Sequence, residues 1–249
     1  MRKRFDIFTL VPEAFAWFVR QHPVSVAIEQ GAVEIIIHDL RKYGRPPHHE
    51  VDDTPYGGGP GMVTRVDVVA EALEGVFGQP ASEVRESRDV YVLAAGGRPF
   101  DQALGEEFAR SGRDLVLLCG RFEGLDARVE SLLANGSLSV GPYVLAGGES
   151  AALVVMETVV RLVPGSLGNV DSVNEESFSA GLSGRVEYPQ YTRPREYQGT
   201  EVPAVLLSGD HAAISRWRRD HSRPSPWRVE KDGTREPPGE VGRDQKGGR

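Results

Sequence analysis

One cysteine, Cys119, is all the chain has in 249 residues. An intramolecular disulfide is therefore excluded, and the usage fits a reducing compartment. With a single thiol and scattered histidines, a structural zinc site is not expected. Cys119 ends an apolar run, where a free cysteine packs as a small buried hydrophobe. Also missing is any hydrophobic run long enough to span a bilayer. The opening stretch, MRKRFDIFTL, is too short and too polar for a signal peptide, so a cytoplasmic protein without a membrane segment is expected. Positive charge is not in excess. A net charge of −7 argues against binding nucleic acid by bulk electrostatics and leaves room only for a local basic surface. Two phosphate-binding signatures are absent as well. No segment reads GxxxxGK[ST], which excludes a P-loop, and none gives GxGxxG after the first strand, which disfavours a dinucleotide fold.

What is present is alternation. Apolar runs at Phe5–Leu10, Ala32–His38, Val90–Ala95, Leu115–Cys119 and Leu138–Ala146 read as strands, the last broken by Gly141-Pro142. Helices are predicted at Pro12–Val19, Val66–Val76, Asp101–Ser111, Asp126–Ala134 and Ser150–Val163. Thr64 and Asp67 stand at capping-box spacing, and Gly112 stands where a left-handed residue closes a helix. Strand and helix in turn predict an α/β domain with a mostly parallel sheet over residues 1–168. Inside it, Asp39–Met62 has no periodicity and is too long for a plain connection, so it is expected to be functional. Gly78–Arg88 reads as a charged connection. Residues 169–180 are polar and acidic, the composition of a flexible interdomain linker. Residues 181–222 suggest a small helical domain with a helix at His211–His221. Residues 223–249 hold too few apolar side chains to order and predict a disordered tail, Trp227 apart.

Three of the apolar runs end in glycine: Gly96-Gly97, Gly120 and Gly147-Gly148. Ligands of open α/β sheets sit at the carboxyl ends of the strands. A pocket of strand-end backbone with apolar walls and no fixed cation suits a flat heterocycle with a small charged tail better than a triphosphate. Adenine read by backbone hydrogen bonds fits that description, and so does the bent methionine part of S-adenosylmethionine.

Six segments then occur in order between Phe5 and Trp217: DDTPYGGGPGM, CGRFEG, GPYVLAGGE, RLVPGSLG, EESF and YPQYTRP. Together they resemble the bacterial tRNA (guanine-N1)-methyltransferase family, one of the trefoil-knotted, SPOUT-class methyltransferases. The resemblance implies a deep C-terminal trefoil knot in the α/β domain, a homodimer, and a small helical C-terminal domain that grips the anticodon stem-loop of tRNA. It implies methylation of N1 of the guanosine at position 37. S-adenosylmethionine would be held by Val92, Leu93 and Gly97, by Gly120, by Val140, Gly141, Tyr143, Val144 and Leu145, and by Gly147 and Gly148. Glu176 would be the general base, with Glu175 or Asp171 as alternatives, and Arg161 would stabilise charge on O6. Pro60, Gly61 and Glu123 would lie near the target base. Arg193, Arg216, Arg218 and Arg219, interleaved with Tyr and Trp, would contact RNA. Mg²⁺ is also implied, with no site assigned to it. Two other readings stay open: a non-catalytic RNA-binding protein of the same fold, and a nucleotide-dependent oxidoreductase.

Overall fold

The computed structural model describes residues 2–166 and 176–226, so Asp171, Glu175 and Trp227 lie outside the described residues. The chain divides into two compact units, Met1–Gly168 and Asn169–Arg249. The first holds β1 (Lys3–Thr9), β2 (Val33–Asp39), a short antiparallel pair β3 (Asp52–Asp53) and β4 (Val63–Thr64), then β5 (Asp89–Pro99), β6 (Leu115–Cys119) and β7 (Gly136–Ser139). Five of them form one sheet in the order β2-β1-β6-β5-β7, with every neighbouring pair parallel. The expected α/β class with a mostly parallel sheet is what the structure shows.

The apolar runs explain the layers. Every residue of β6 is buried, and successive side chains leave opposite faces of a strand. Leu115, Leu117 and Cys119 enter one core, while Val116 and Leu118 enter the other. Five helices cover those two faces: α1 (Val24–Glu29), α2 (Val66–Phe77), α3 (Ala81–Ser87), α4 (Gln102–Arg110) and α5 (Glu149–Leu162). Residues of α1, α4 and α5 share the first core, and those of α2 and α3 share the second. On α5, Ala151, Ala152, Val155, Met156, Val159 and Val160 are buried at three- and four-residue spacing, which makes one apolar stripe. Each large side chain buried this way contributes about 1.5–3 kcal/mol.

Several elements differ from the sequence reading. Pro12–Val19 is not one helix but two 3₁₀ turns, Pro12–Phe15 and Phe18–Arg20. Phe15 and Phe18 both enter the core, and the three-residue period of a 3₁₀ turn brings such a pair onto one side. Helix α1 had no counterpart in the reading, and the supposed connection Gly78–Arg88 contains α3. Thr64 does not cap α2. Arg65 is the N-cap residue, and the buried Thr64 hydroxyl has no hydrogen-bond partner among the described residues. Asp101 does cap α4 through the Leu104 amide, 2.9 Å away, but α4 closes on an extended Ser111 and not on a left-handed Gly112. Asp126–Ala134 holds a π-helical turn at Val129–Leu133, a form that often marks functional sites. The run Tyr143–Ala146 is not a strand: β7 stops at Ser139 and a loop follows to Gly148.

Within Asp39–Met62 the structure is not random. Arg65 binds Asp67 (Nε–Oδ1 3.1 Å, Nη2–Oδ2 2.9 Å) and reaches Asp53, and Arg45 pairs with the same Oδ2 of Asp67. Hydrogen bonding from Arg65, then from Arg45, outweighs desolvation and holds the Asp67 carboxyl at about 2. An unfolded Asp titrates near roughly 3.9. A depressed folded value stabilises the fold above the unfolded one, and this is lost as pH falls toward about 2. Asp67→Asn is expected to flatten the acid limb of a stability–pH curve between those values; equilibrium denaturation from pH 5 to pH 2 checks it.

The second unit is built on an aromatic cluster. Trp217 meets Tyr188, Tyr191 and His221 at centroid distances of 6.4, 6.2 and 4.1 Å. Its one described α-helix is His211–His221, N-capped by Asp210, whose carboxylate accepts from the amides of Ala212 and Ala213. The reading missed the hairpin of β8 (Glu196–Tyr197) and β9 (Thr200–Glu201). Val186 and Arg223 exchange backbone hydrogen bonds of 2.8 and 3.0 Å, so the ordered chain runs past the expected start of the tail at 223.

Candidate active site

A cleft of about 380 Å³ opens at the carboxyl ends of β5, β6 and β7. Its walls come from three places: Val92–Ala95 of β5, Gly120 and Phe122–Ala127 after β6, and Leu138–Gly148 with its loop. The close approach of these backbones is what the glycines permit. The Gly148 amide donates to the Gly120 carbonyl at 2.9 Å, and a Cβ on Gly148 would lie 2.8 Å from Cys119 Cα. Gly97 is needed differently. A Cβ there would meet the Leu138 amide nitrogen at 2.6 Å, at the point where β5 shifts register against β7. It shapes the wall and does not line the cleft. The Cys119 thiol, fully enclosed, is pushed well up by burial and then by the nearby Glu149, which keeps it out of any nucleophilic role.

Of the positions assigned to the cofactor, Val92, Leu93, Gly120, Val140, Gly141, Tyr143, Val144, Leu145, Gly147 and Gly148 all line this one cleft. Tyr143 folds back so that its hydroxyl donates to the Val140 carbonyl at 3.0 Å, over Gly141. Tyr143 and Val144 are 54% and 89% exposed and form an apolar rim. Glu123 also lines the cleft, and its amide donates to the Met62 carbonyl at 3.0 Å. Gly61, with φ of +82°, passes so close that a Cβ would sit 2.4 Å from Glu123 Oε1. The glycine-rich loop around Pro60 and Gly61 is thereby brought to the cleft.

Arg161 does not line this cleft. It stands in the last turn of α5, whose first residue, Glu149, follows the cleft loop. Ala151 of α5 lines the cleft, and the ten-residue rise from it to Arg161 is roughly 15 Å. Glu176 belongs to the second unit. Arg193, Arg216 and Arg219 are exposed there, whereas the Arg218 guanidinium lies 4.8 Å above the Tyr188 ring and is part of the packing.

The sequence reading missed Phe122. It lines the cleft, is 60% exposed, and holds a left-handed backbone at φ +59°. A bulky residue in that region costs energy and is a common mark of functional sites. The only hint was its place between the glycines of CGRFEG.

Among the described residues, the charged side chains that line the cleft are Glu123, Asp126 and Glu130, with no Lys or Arg. Asp126 is engaged by Arg128 at 2.6 Å, which lowers its pKa. An acidic, apolar-walled cleft favours a cationic ligand over a polyphosphate. A family profile described as tRNA (Guanine-1)-methyltransferase TrmD matches residues 3–232. The chain belongs to the tRNA (guanine-1)-methyltransferase family. Among curated relatives, the tRNA (guanine-N(1)-)-methyltransferase of Moorella thermoacetica is 43% identical over 92% of this chain and 89% of its own length. Enzymes of the same description from Thermus thermophilus and Rhodopirellula baltica are 48% and 45% identical, each over 88% of this chain, and 86% and 89% of their own lengths. All six segments that carried the resemblance fall inside the matched range.

Proposed function

We propose that this enzyme methylates N1 of the guanosine at position 37 of tRNA, 3′ of the anticodon, with S-adenosylmethionine as donor. The observation that carries the reading is the cleft itself: glycine-lined, apolar, acidic and without a lining cation. Those features fit a donor with an adenine ring, a sulfonium and an ammonium. When bound, the donor supplies an electrophilic methyl that needs no metal to activate it. The enzyme has to remove the N1 proton and hold the base in line. Glu176 takes the proton, and Arg161 stabilises the charge that develops on O6. Glu123 and the Gly61 loop, already in contact, position the base beside the donor.

Arg161 lies too far along α5 to serve the cleft of its own chain, which supports a homodimer in which each cleft is completed by the partner. The folding of loop 140–148 onto Gly120 supports the trefoil knot. Arg193, Arg216 and Arg219 contact tRNA phosphates from the C-terminal domain, and the enzyme works with its tRNA in the cytoplasm. No helix among the described residues is long and apolar enough to cross a membrane. Among the described residues no group of three or more His, Cys, Asp or Glu could hold a metal ion.

Incubation with methyl-labelled donor and unmodified tRNA is expected to yield 1-methylguanosine at position 37; a folded enzyme that yields none sinks the reading. Glu176→Gln is expected to lower turnover about 10²–10⁴-fold while S-adenosylhomocysteine binding is unchanged. Near-normal turnover would move the base to another residue. Because this protein is acidic, its tRNA affinity must come from a local surface and fall as salt rises. Arg219→Ala is expected to reduce the salt slope by about 1, and Arg218→Ala to lower stability instead, measured by filter binding and thermal melts.

A further inference from the structure

Beneath the cleft lies a buried charge that the proposed reaction does not use. Glu149, the first residue of α5, is 4% exposed. One of its oxygens, Oε1, accepts a 2.7 Å hydrogen bond from the hydroxyl of Thr9, at the end of β1 and 140 residues away in sequence. The other, Oε2, lies 3.1 Å from Arg121 Nε. That approach lacks the alignment of a directed hydrogen bond, so the pair is a Coulombic contact. The helix N-terminus adds favourable positive potential at the carboxylate. Thr9 is itself fixed, because its hydroxyl accepts from the Val11 amide at 2.9 Å.

Gly147 rests directly on this assembly. A Cβ there would fall 2.4 Å from Glu149 Oε2 and 2.7 Å from Arg121 Nε. Its backbone also forms an antiparallel bridge with Arg121. The ion pair is therefore the floor on which the loop 140–148 is laid, and Arg121 follows the β6 strand end that supplies Gly120. None of Thr9, Arg121 and Glu149 lines the cleft.

We propose that Thr9, Glu149 and Arg121 are positioning residues that lock the 140–148 loop against the end of β6, and so set the affinity for the methyl donor. The loop-locking part stands on the geometry alone; the donor-affinity part rests on the function proposed above. The chemistry is specific: a carboxylate with two different partners, each drawn from the end of a different strand. A neutral group of the same shape would satisfy one partner and lose the other.

The test compares Thr9→Ser, which keeps both hydroxyl bonds, with Thr9→Val, which keeps the shape and loses them. Val33→Ala, a core truncation at the opposite end of the sheet, controls for lost stability. Two readouts are taken on each protein at 25 °C: hydrogen exchange of the Gly148 amide, and S-adenosylhomocysteine affinity by calorimetry. Thr9→Val is expected to speed Gly148 exchange at least tenfold and to weaken binding about tenfold. Thr9→Ser should remain within twofold of the parent in both, as should Val33→Ala. Glu149→Gln should act like Thr9→Val, with Arg121→Lys in between. Unchanged exchange and affinity in Thr9→Val, or equal changes in Val33→Ala, overturn the proposal. If the parent itself binds no S-adenosylhomocysteine, the proposed function fails, while the exchange comparison still decides whether the set locks the loop.

Discussion

Replacing Gly148 by alanine is expected to abolish S-adenosylhomocysteine binding, whereas replacing Gly96 by alanine leaves it unchanged. Both glycines follow apolar runs and look alike in sequence. In the structure, a Cβ on Gly148 would stand 2.8 Å from Cys119 Cα and 3.3 Å from the Gly120 amide nitrogen. These are backbone atoms of a fully buried strand and its exit, and they have no rotamer through which to yield. The loop must lift, the Gly148–Gly120 hydrogen bond must lengthen, and the cleft wall moves with it. Overpacking of this kind costs about 1–3 kcal/mol of stability. The loss in affinity should exceed it, because the displaced loop supplies one wall of the cleft. Around Gly96 there is nothing within 4 Å, and its φ is ordinary. Calorimetric titration of both variants checks the pair. Tight binding by Gly148→Ala would show that the loop does not hold the ligand.

That contrast also marks how far the sequence could be read. Near-continuous apolar strands gave the parallel sheet, because β6 must be buried on both faces for LVLLC to be stable. The same logic misled at Tyr143–Ala146. An apolar run of strand length is also what a ligand-covering loop looks like, and periodicity cannot separate the two. Its side chains are exposed because nothing among the described residues of the first unit covers them. Glycine positions located the cleft but could not say which glycine lines it, as Gly97 shows: its role is a contact with Leu138, which only the register of β5 against β7 defines. Thr9 and Glu149 were invisible for a related reason. Their partnership spans 140 residues, and nothing local in FTLVP or GGES announces it. Phe122 went unread because backbone strain is a property of φ and not of residue type.

Arg161→Ala is expected to lower kcat about 10²–10³-fold with donor affinity intact. Its geometry makes a sharper test available. Arg161 stands in the last turn of α5, roughly 15 Å of helix rise beyond Ala151, which lines the cleft. A side chain of arginine length cannot bridge that gap, so the residue reaches a cleft only if the cleft belongs to a second copy. Two inactive proteins should then rescue one another. Gly148→Ala supplies an intact Arg161 and no working cleft; Arg161→Ala supplies the cleft and no arginine. In a two-fold dimer each mixed pair holds one complete site, so random mixing restores about a quarter of the parental sites. Equal amounts of the two variants, exchanged by dilution and reconcentration, are assayed for 1-methylguanosine. Recovery toward that level supports catalysis in trans. Turnover that stays at the level of the separate variants, in a mixture shown to contain mixed dimers, would return Arg161 to a purely structural place at the end of α5.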